Sequence, residues 1–353
     1  MMDRLALMNT APHLPLNDVQ RIVVVRALHL GDFLCSVPAL RALKERFPQA
    51  ELTYIGLPWA KEVVRRYHYI DRFLEFPGYR GLEGTLSDPV ATSQFFIEAR
   101  SYRYDLAIQM HGDGRISNSF TARLGARFSL GYRILGSRQP RQLDLELAFM
   151  SNVHEIFRWL RLVGFLGAQG SPQLEFPLVA EDEVEMETVA YSFGIDLEKP
   201  IVMLHSGAKE SAKRWPPEAF SEAGDRLAEQ LGAQIAITGS HDEIPLGRAV
   251  AERMRNRAHL LSGRTSLGGL AALLSRATLL ITNDSGPSHL AAALGIPSVV
   301  LFGPTKPAIW APLDRSIHKA LWSGQDKPIT SISVDRVVEE SFRLVKECAC
   351  LTS

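Results

Sequence analysis

Residues 281–289 read ITNDSGPSH, an apolar run that gives way to a polar turn and then to an apolar helical stretch. The first amides of a helix lack internal partners and carry partial positive charge, so a turn of this kind can hold an anion. Asp284, Ser285 and Gly286 stand where the strand ends, and Gly286 lets a phosphate approach the backbone closely. His289 could donate to a phosphate oxygen or tie the turn together. An ordinary strand-to-helix turn, with Ser288 as its N-cap, fits the same letters. A second glycine-proline turn, LFGPTKPAIWAP at 301–312, follows the next strand, and two adjacent turns favour a pocket over either one alone. There Lys306 faces phosphate or solvent, and Trp310 reads as packing. Residues 205–216, HSGAKESAKRWP, place Lys209 and Lys213 four apart in a polar loop before a proline-started helix. A diphosphate needs fixed cationic donors, and one of these lysines suits it. In TGSHDE, 238–243, His241 or Asp242 could meet a ribose hydroxyl or simply stay solvated.

Near the N-terminus, Asp32 follows Gly31 at the first strand-to-helix turn. A hydroxyl nucleophile needs a proton acceptor within about 2.6–3.2 Å, and Asp32 can fill that role if it is held ionised or partly desolvated. Its alternative is an N-cap for the following helix. His29 is a second candidate base or acceptor ligand. His111 and Asp113, in HGDGR, crown a later strand and line the same side or form an Asx turn, and Arg115 could meet an anionic acceptor. Cys35 reads as core. His13, His68, His154, His259 and His318 read as surface or satisfied core.

The elements that must position these groups alternate. RIVVVR at 21–26, 52–55, 105–110, 201–204, 234–238, 258–261, 278–282 and 298–301 read as strands. The segments 34–47, 61–69, 153–166, 181–191, 220–231, 244–254, 266–274, 289–294 and 334–346 read as helices. Residues 79–89 read as a loop. Strand and helix in turn predict parallel sheets with helical covers. A length of 353 residues with 46% hydrophobic and 22% charged residues predicts two globular domains. The texture changes near 170–195, which puts the boundary at 180/181. Ligands of open parallel sheets sit beyond the C-terminal strand ends, so two such domains facing each other predict a cleft.

Basic and acidic residues number 39 each, and zero net charge argues against nucleic-acid coating. The first 176 residues carry +4 and the remainder −4, with 8 basic against 2 acidic residues over 100–141, a stretch able to attract an anionic partner. Three cysteines form no disulfide framework and point to a reducing compartment. No run of 18 apolar residues predicts a membrane span, and the first twenty residues read as a leader before the first strand. There is no GxGxxG after the first strand, no P-loop, no HExxH and no GxSxG around Ser285. Common dinucleotide, P-loop, metalloprotease and hydrolase sites therefore lack support.

Taken together, RIVVVRALHLGDFLCSVPALRALKERFP at 21–48, QMHG at 109–112, KRWP at 213–216 and NDSGPSHLAAALGIPSVVLFGPT at 283–305 resemble glycosyltransferase family 9. That family contains the ADP-heptose:lipopolysaccharide heptosyltransferases. Gly31, Asp32 and Pro38 match its opening motif, and the similarity runs from about residue 20 to 345. The resemblance implies an α/β GT-B fold, two Rossmann-like α/β/α domains facing across a cleft. Residues 1–180 would form the acceptor side and 181–353 the nucleotide-sugar donor domain, with the last helix packing back toward the first domain. It implies an inverting, metal-independent transfer of a sugar, a heptose from ADP-heptose being favoured, onto a hydroxyl of a lipopolysaccharide-core-like or other glycan. Asp32 would be the general base, and Lys213 the lysine that contacts the donor diphosphate. Asp284, Ser285, Gly286 and His289 would form the donor-site turn, with Lys209 and Thr265 near further donor contacts. Where heptosyltransferases hold the ribose with an acidic residue, His241 stands, beside Asp242. His29, His111, Asp113 and Arg115 remain acceptor-side candidates.

No cofactor and no metal are expected, since the nucleotide-sugar is a substrate. Expected partners are that donor and a glycan or glycolipid acceptor, with peripheral membrane contact allowed and no nucleic acid. The chain is expected to be a cytoplasmic monomer, with peripheral contact at the inner face of the membrane allowed. Two other readings fit the same pattern: a nucleotide-sugar epimerase, and a catalytically inactive nucleotide-sugar-binding protein.

Overall fold

The computed structural model describes residues 16–82, 88–136 and 143–352. The chain divides into two compact units, one up to Gln173 and one from Leu174 onward. The first holds a parallel six-stranded sheet of β1 (Arg21–Val25), β2 (Glu51–Gly56), β3 (Arg72–Glu75), β4 (Leu106–Gln109), β5 (Phe128–Arg133) and β6 (Leu145–Ala148), in the order β3-β2-β1-β4-β5-β6. Its helices are α1 (Leu30–Arg46), α2 (Ala60–Val64), α3 (Pro89–Ser101), α4 (Ser117–Ala122) and α5 (Glu155–Gly164).

β1 is central, and both its faces are covered, which is why it reads as an unbroken run of valine and isoleucine rather than an alternation. Val25 pairs with Ile55 on one side and Gln109 on the other. The strand order reverses at β1, so its C-terminal end is the switch point at which open parallel sheets take ligands. α1 starts there, four residues earlier than its apolar pattern suggests, because the polar HLGD segment is its first turn and His29 its N-cap. α1 and α5 pack against each other, and Leu34, Val37, Leu40 and Leu43 are fully buried at ~2 kcal/mol each.

The second unit repeats the arrangement. β7 (Ile201–His205), β8 (Gln234–Thr238), β9 (Ala258–Leu260), β10 (Leu279–Asn283), β11 (Ser298–Phe302) and β12 (His318–Trp322) run parallel in the order β12-β11-β10-β7-β8-β9. The helices are α6 (Ala180–Phe193), α7 (Pro217–Leu231), α8 (Ile244–Ala251), α9 (Leu267–Ser275), α10 (Gly286–Leu294), α11 (Pro307–Trp310) and α12 (Val334–Thr352). The order reverses between β7 and β10. Val202, Leu204, Ile281 and Leu301 meet Phe220 and Leu227 of α7 and Val337 and Leu344 of α12 in one core. α12 packs on α7, β11 and β12. α7 begins with Pro217 and stops at Gly232, whose φ of 61° suits a residue without a Cβ.

The strands that the periodicity does not announce are β3, β5, β6 and β12. They lie toward the sheet edges, and RFLE and LELA are half-exposed, so neither shows the buried run that marks β1. Of the loop expected over 79–89, residues 83–87 lie outside the described residues, as do 137–142 of the basic stretch and residues 1–15, His13 included. Cys35 is buried, as a core residue should be. Among the described residues no helix is long and apolar enough to cross a membrane.

Candidate functional site

In the second unit, the site forms from the loops after β7, β8 and β10. Asn283, the last residue of β10, ties two of them. Its Oδ1 accepts from Trp215 N–H at 3.0 Å, and its Nδ2 donates to the Ser206 carbonyl at 2.9 Å. That clamp, together with the buried Trp215 indole donating to the Ile332 carbonyl, fixes the AKRW segment over the end of β10. Lys213 thereby reaches Asp284, with Nζ 3.2 Å from Oδ2, and Glu210 lies at 3.9 Å.

Ser285 is the N-cap residue of α10, yet its hydroxyl turns back to Thr282 Oγ1 and the Asn283 carbonyl, both at 3.2 Å, and caps none of the first-turn amides. Gly286 is the first helical residue; Pro287 brings no N–H and Ser288 N–H donates to the Ser285 carbonyl at 3.1 Å, so the partial positive charge of this helix end rests on the Gly286 N–H and the helix dipole, two residues after the Asp284 that Lys213 contacts. His289, one turn on, is buried with its ring edge toward Trp310, the centroids 6.2 Å apart. Lys209 is exposed and Thr265 half-buried in the loop after β9.

His241 and Asp242 lie on the outer side of the loop after β8, their side chains 87% and fully exposed. The acidic group that turns inward is their neighbour Glu243, which sequence reading passes over. Its Oε2 accepts from Ser240 N–H at 2.8 Å and lies 3.7 Å from His205 Nε2. Gly207 makes room for it, since a Cβ there would stand 2.0 Å from Glu243 Oε1. The signal was present as a capping box, S-x-x-E, which draws the glutamate back over the turn. Burial pushes the His205 imidazole below its ordinary pKa, opposed by Glu243.

In the first unit, Asp32 sits three residues into the cap of α1 and accepts from His29 N–H at 3.3 Å. Its side chain is 21% exposed, and beside it lies the fully buried guanidinium of Arg26. Arg26 Nε donates to the Asp32 carbonyl at 2.6 Å, Nη1 to the Met110 carbonyl, and Nη2 to Asp32 Oδ1 at 3.3 Å. The same Nη2 donates to Glu155 Oε1 at 3.2 Å. Arg26 directly follows β1 and Glu155 begins α5, and neither was among the sequence candidates. Burial pushes the Asp32 carboxyl above the ordinary carboxylate value, while Arg26 draws it down. Such a carboxylate is a better proton acceptor than an exposed one.

His29 is exposed at the same cap. His111 is buried beyond it; its Nδ1 accepts from Ala27 N–H at 3.3 Å, and burial pushes its pKa down to about 4. It is therefore neutral near pH 7. Asp113 and Arg115 pair with one another at 2.8 Å in the exposed turn after β4. Among the described residues, no three His, Cys, Asp or Glu side chains converge as metal ligands.

A model of glycosyltransferase family 9 (heptosyltransferase) matches residues 94–332. The chain is 26% identical over 362 residues to lipopolysaccharide heptosyltransferase 2 of Salmonella typhimurium, covering 93% of this chain and 99% of that protein. It is 28% identical over 322 residues to the Escherichia coli protein of the same name, covering 85% and 86%. Among solved structures, a glycosyltransferase family 9 protein of Veillonella parvula superposes with a TM-score of 0.82 at 23% identity, over 96% of this chain and 100% of that one. The ADP-heptose lps heptosyltransferase II of E. coli gives 0.74 at 23% identity, over 94% and 99%. The fold is thus the α/β GT-B class expected from the sequence. By the extent of the family match, the chain belongs to glycosyltransferase family 9 and is a glycosyltransferase.

Proposed function

We propose that this enzyme transfers a heptose from ADP-heptose to a hydroxyl of a lipopolysaccharide-core acceptor, with inversion and without a metal ion. The observation that carries the reading is the Lys213–Asp284 pair at the open N-terminus of α10, which combines a fixed cation with a helix end suited to a diphosphate. The relatives are named as lipopolysaccharide heptosyltransferases, which supports heptose as the sugar and the glycolipid core as acceptor.

In this reading Lys209, Lys213, Thr265 and the turn of Asp284, Ser285, Gly286 and His289 take the donor. Glu243, rather than the outward-facing His241, takes its ribose. Asp32 accepts the proton of the acceptor hydroxyl as that oxygen bonds the anomeric carbon. The bond from that carbon to the diphosphate oxygen breaks, and ADP leaves with its electron pair. A single displacement by one base inverts the anomeric centre. Lys213 and the α10 amide end stabilise the charge that develops on the leaving group, a contribution of ~3 kcal/mol for one well-placed donor. His29, His111, Asp113 and Arg115 belong to the acceptor side, and Arg115 is the exposed cation there. The enzyme works as a monomer at the cytoplasmic face of the membrane that carries its acceptor.

A donor panel including ADP-heptose, assayed with a heptose-deficient core acceptor and read by product mass and anomeric NMR, tests the reading. Transfer from ADP-heptose with inversion, unaffected by EDTA, is expected. Isomerised donor without acceptor glycosylation would indicate an epimerase. Donor binding without turnover would indicate a binding protein. Asp32→Ala should abolish transfer while largely keeping donor affinity, and near-normal turnover would remove the base assignment.

A further inference from the structure

Arg26 is fully buried, and its Nη2 is shared between two carboxylates, Asp32 at 3.3 Å and Glu155 at 3.2 Å. Glu155 is itself rigidly held. Its Oε1 also accepts from the Trp159 indole at 3.0 Å, its Oε2 accepts from Arg158 Nε at 2.8 Å, and its side chain is 10% exposed. The Trp159 ring lies 4.5 Å from the Arg26 guanidinium carbon and supports it from one face. Two arginines and two acids thus make a neutral buried cluster that joins β1, α1 and α5. Asp32 is its most exposed acid. A buried acid with three donors placed on it at one end of a chain leading to a partly exposed carboxylate has more than a packing task, because an apolar pair would fill the space at lower desolvation cost.

We propose that Glu155 is a positioning residue for Asp32: by holding half of the Arg26 Nη2 contact, it prevents Arg26 from closing onto Asp32 as an exclusive ion pair and so keeps the Asp32 carboxylate oriented and available to a proton. This rests on the reading of Asp32 as the base. The charges facing Asp32 agree with it. From the residue after β1, Arg26 favours the ionised form; from α5, Glu155 opposes ionisation; from its own cap, His29 favours it. From β2, the buried Tyr54 phenol donates to the Arg26 carbonyl, and Asp32 helps to push its pKa up. Arg158 bears on Glu155 from the far side, and His111 feels Arg26 while staying neutral near pH 7.

The test is the pH profile of transfer by Glu155→Gln, which keeps the shape and an acceptor oxygen but removes the charge. The acid limb should move about one pH unit lower and kcat should fall about tenfold, with the affinity for ADP unchanged. The double variant Glu155→Gln with Arg158→Met keeps the cluster neutral, so it guards against a folding defect, and it should show the same displacement. If either folded variant keeps the wild-type pH profile and kcat, Glu155 is structural only and the inference falls. A lower kcat with an unmoved acid limb also overturns it. Asp32→Asn separates the two layers. If that variant retains transfer, the base reading fails; if it is inactive while the Glu155 variants behave as wild type, only the positioning role fails.

Discussion

The Lys213 ammonium lies 3.2 Å from the Asp284 carboxylate, which joins the loop after β7 to the turn after β10. Asp284 is buried, with a side chain 6% exposed, whereas Lys213 keeps 22%. The lysine is therefore anchored at one hydrogen and still presents charge to an incoming anion.

Lys213→Ala removes that charge and strands a buried carboxylate. Affinity for ADP should fall about 10- to 100-fold, in line with ~1.5–3 kcal/mol for a charge-assisted hydrogen bond. Lys213→Arg should recover part of it. Titration calorimetry checks both, and unchanged affinity in the alanine variant refutes the phosphate role.

Gly207→Ala should act on Glu243 alone. The new methyl would stand 2.0 Å from Oε1, and the carboxylate, being the far end of a flexible side chain, can swing away. We expect the fold to persist, with a thermal midpoint within a few degrees of wild type, and ADP binding to weaken several-fold. A variant with full ADP affinity would show that Glu243 does not touch the nucleotide.

Asn283→Ala should cost stability. The side chain is fully buried and serves Trp215 N–H and the Ser206 carbonyl, both of which would be left without it. A loss of about 2–4 kcal/mol in urea unfolding is expected, together with weaker donor binding as the Lys213 loop loosens. Donor affinity kept at wild-type level would mean that the loop is held by Trp215 and Ile332 without Asn283.

Two histidines make stability depend on acid. Burial pushes His111 in the first unit and His318 in the second each down to about 4. Their unfolded value is near 6.5, so between pH 6.5 and 4 the unfolded chain binds more protons and stability falls as the pH falls. Each contributes a loss of ~3 kcal/mol across that window, and none above it. His318 Nδ1 lies 2.8 Å from Ser298 Oγ, so His318→Asn should flatten the pH dependence of unfolding in the second unit. An equally steep dependence in the variant would sink this account.

Much of the architecture was legible in the order of the letters. The valine run of β1, the proline-started α7 and the GPSH turn each follow from local rules: which side chains tolerate an extended backbone, which residue can open a helix, which turn leaves amides exposed. Those rules act over a few residues, so they also placed Asp32, Lys213 and Asp284 at strand ends. They could not rank neighbours within one turn. In HDE the side chain that turns inward is Glu243 and not His241, because a cap reaching back to Ser240 and the space above Gly207 decide which side chain faces in. Nor could they find Glu155, which lies 129 positions from Arg26 and meets it only when α5 packs against α1. A short polar motif determines where a turn forms. Which charges are buried against it, and hence how strongly a carboxylate holds its proton, depends on what the rest of the fold brings to within a few ångströms.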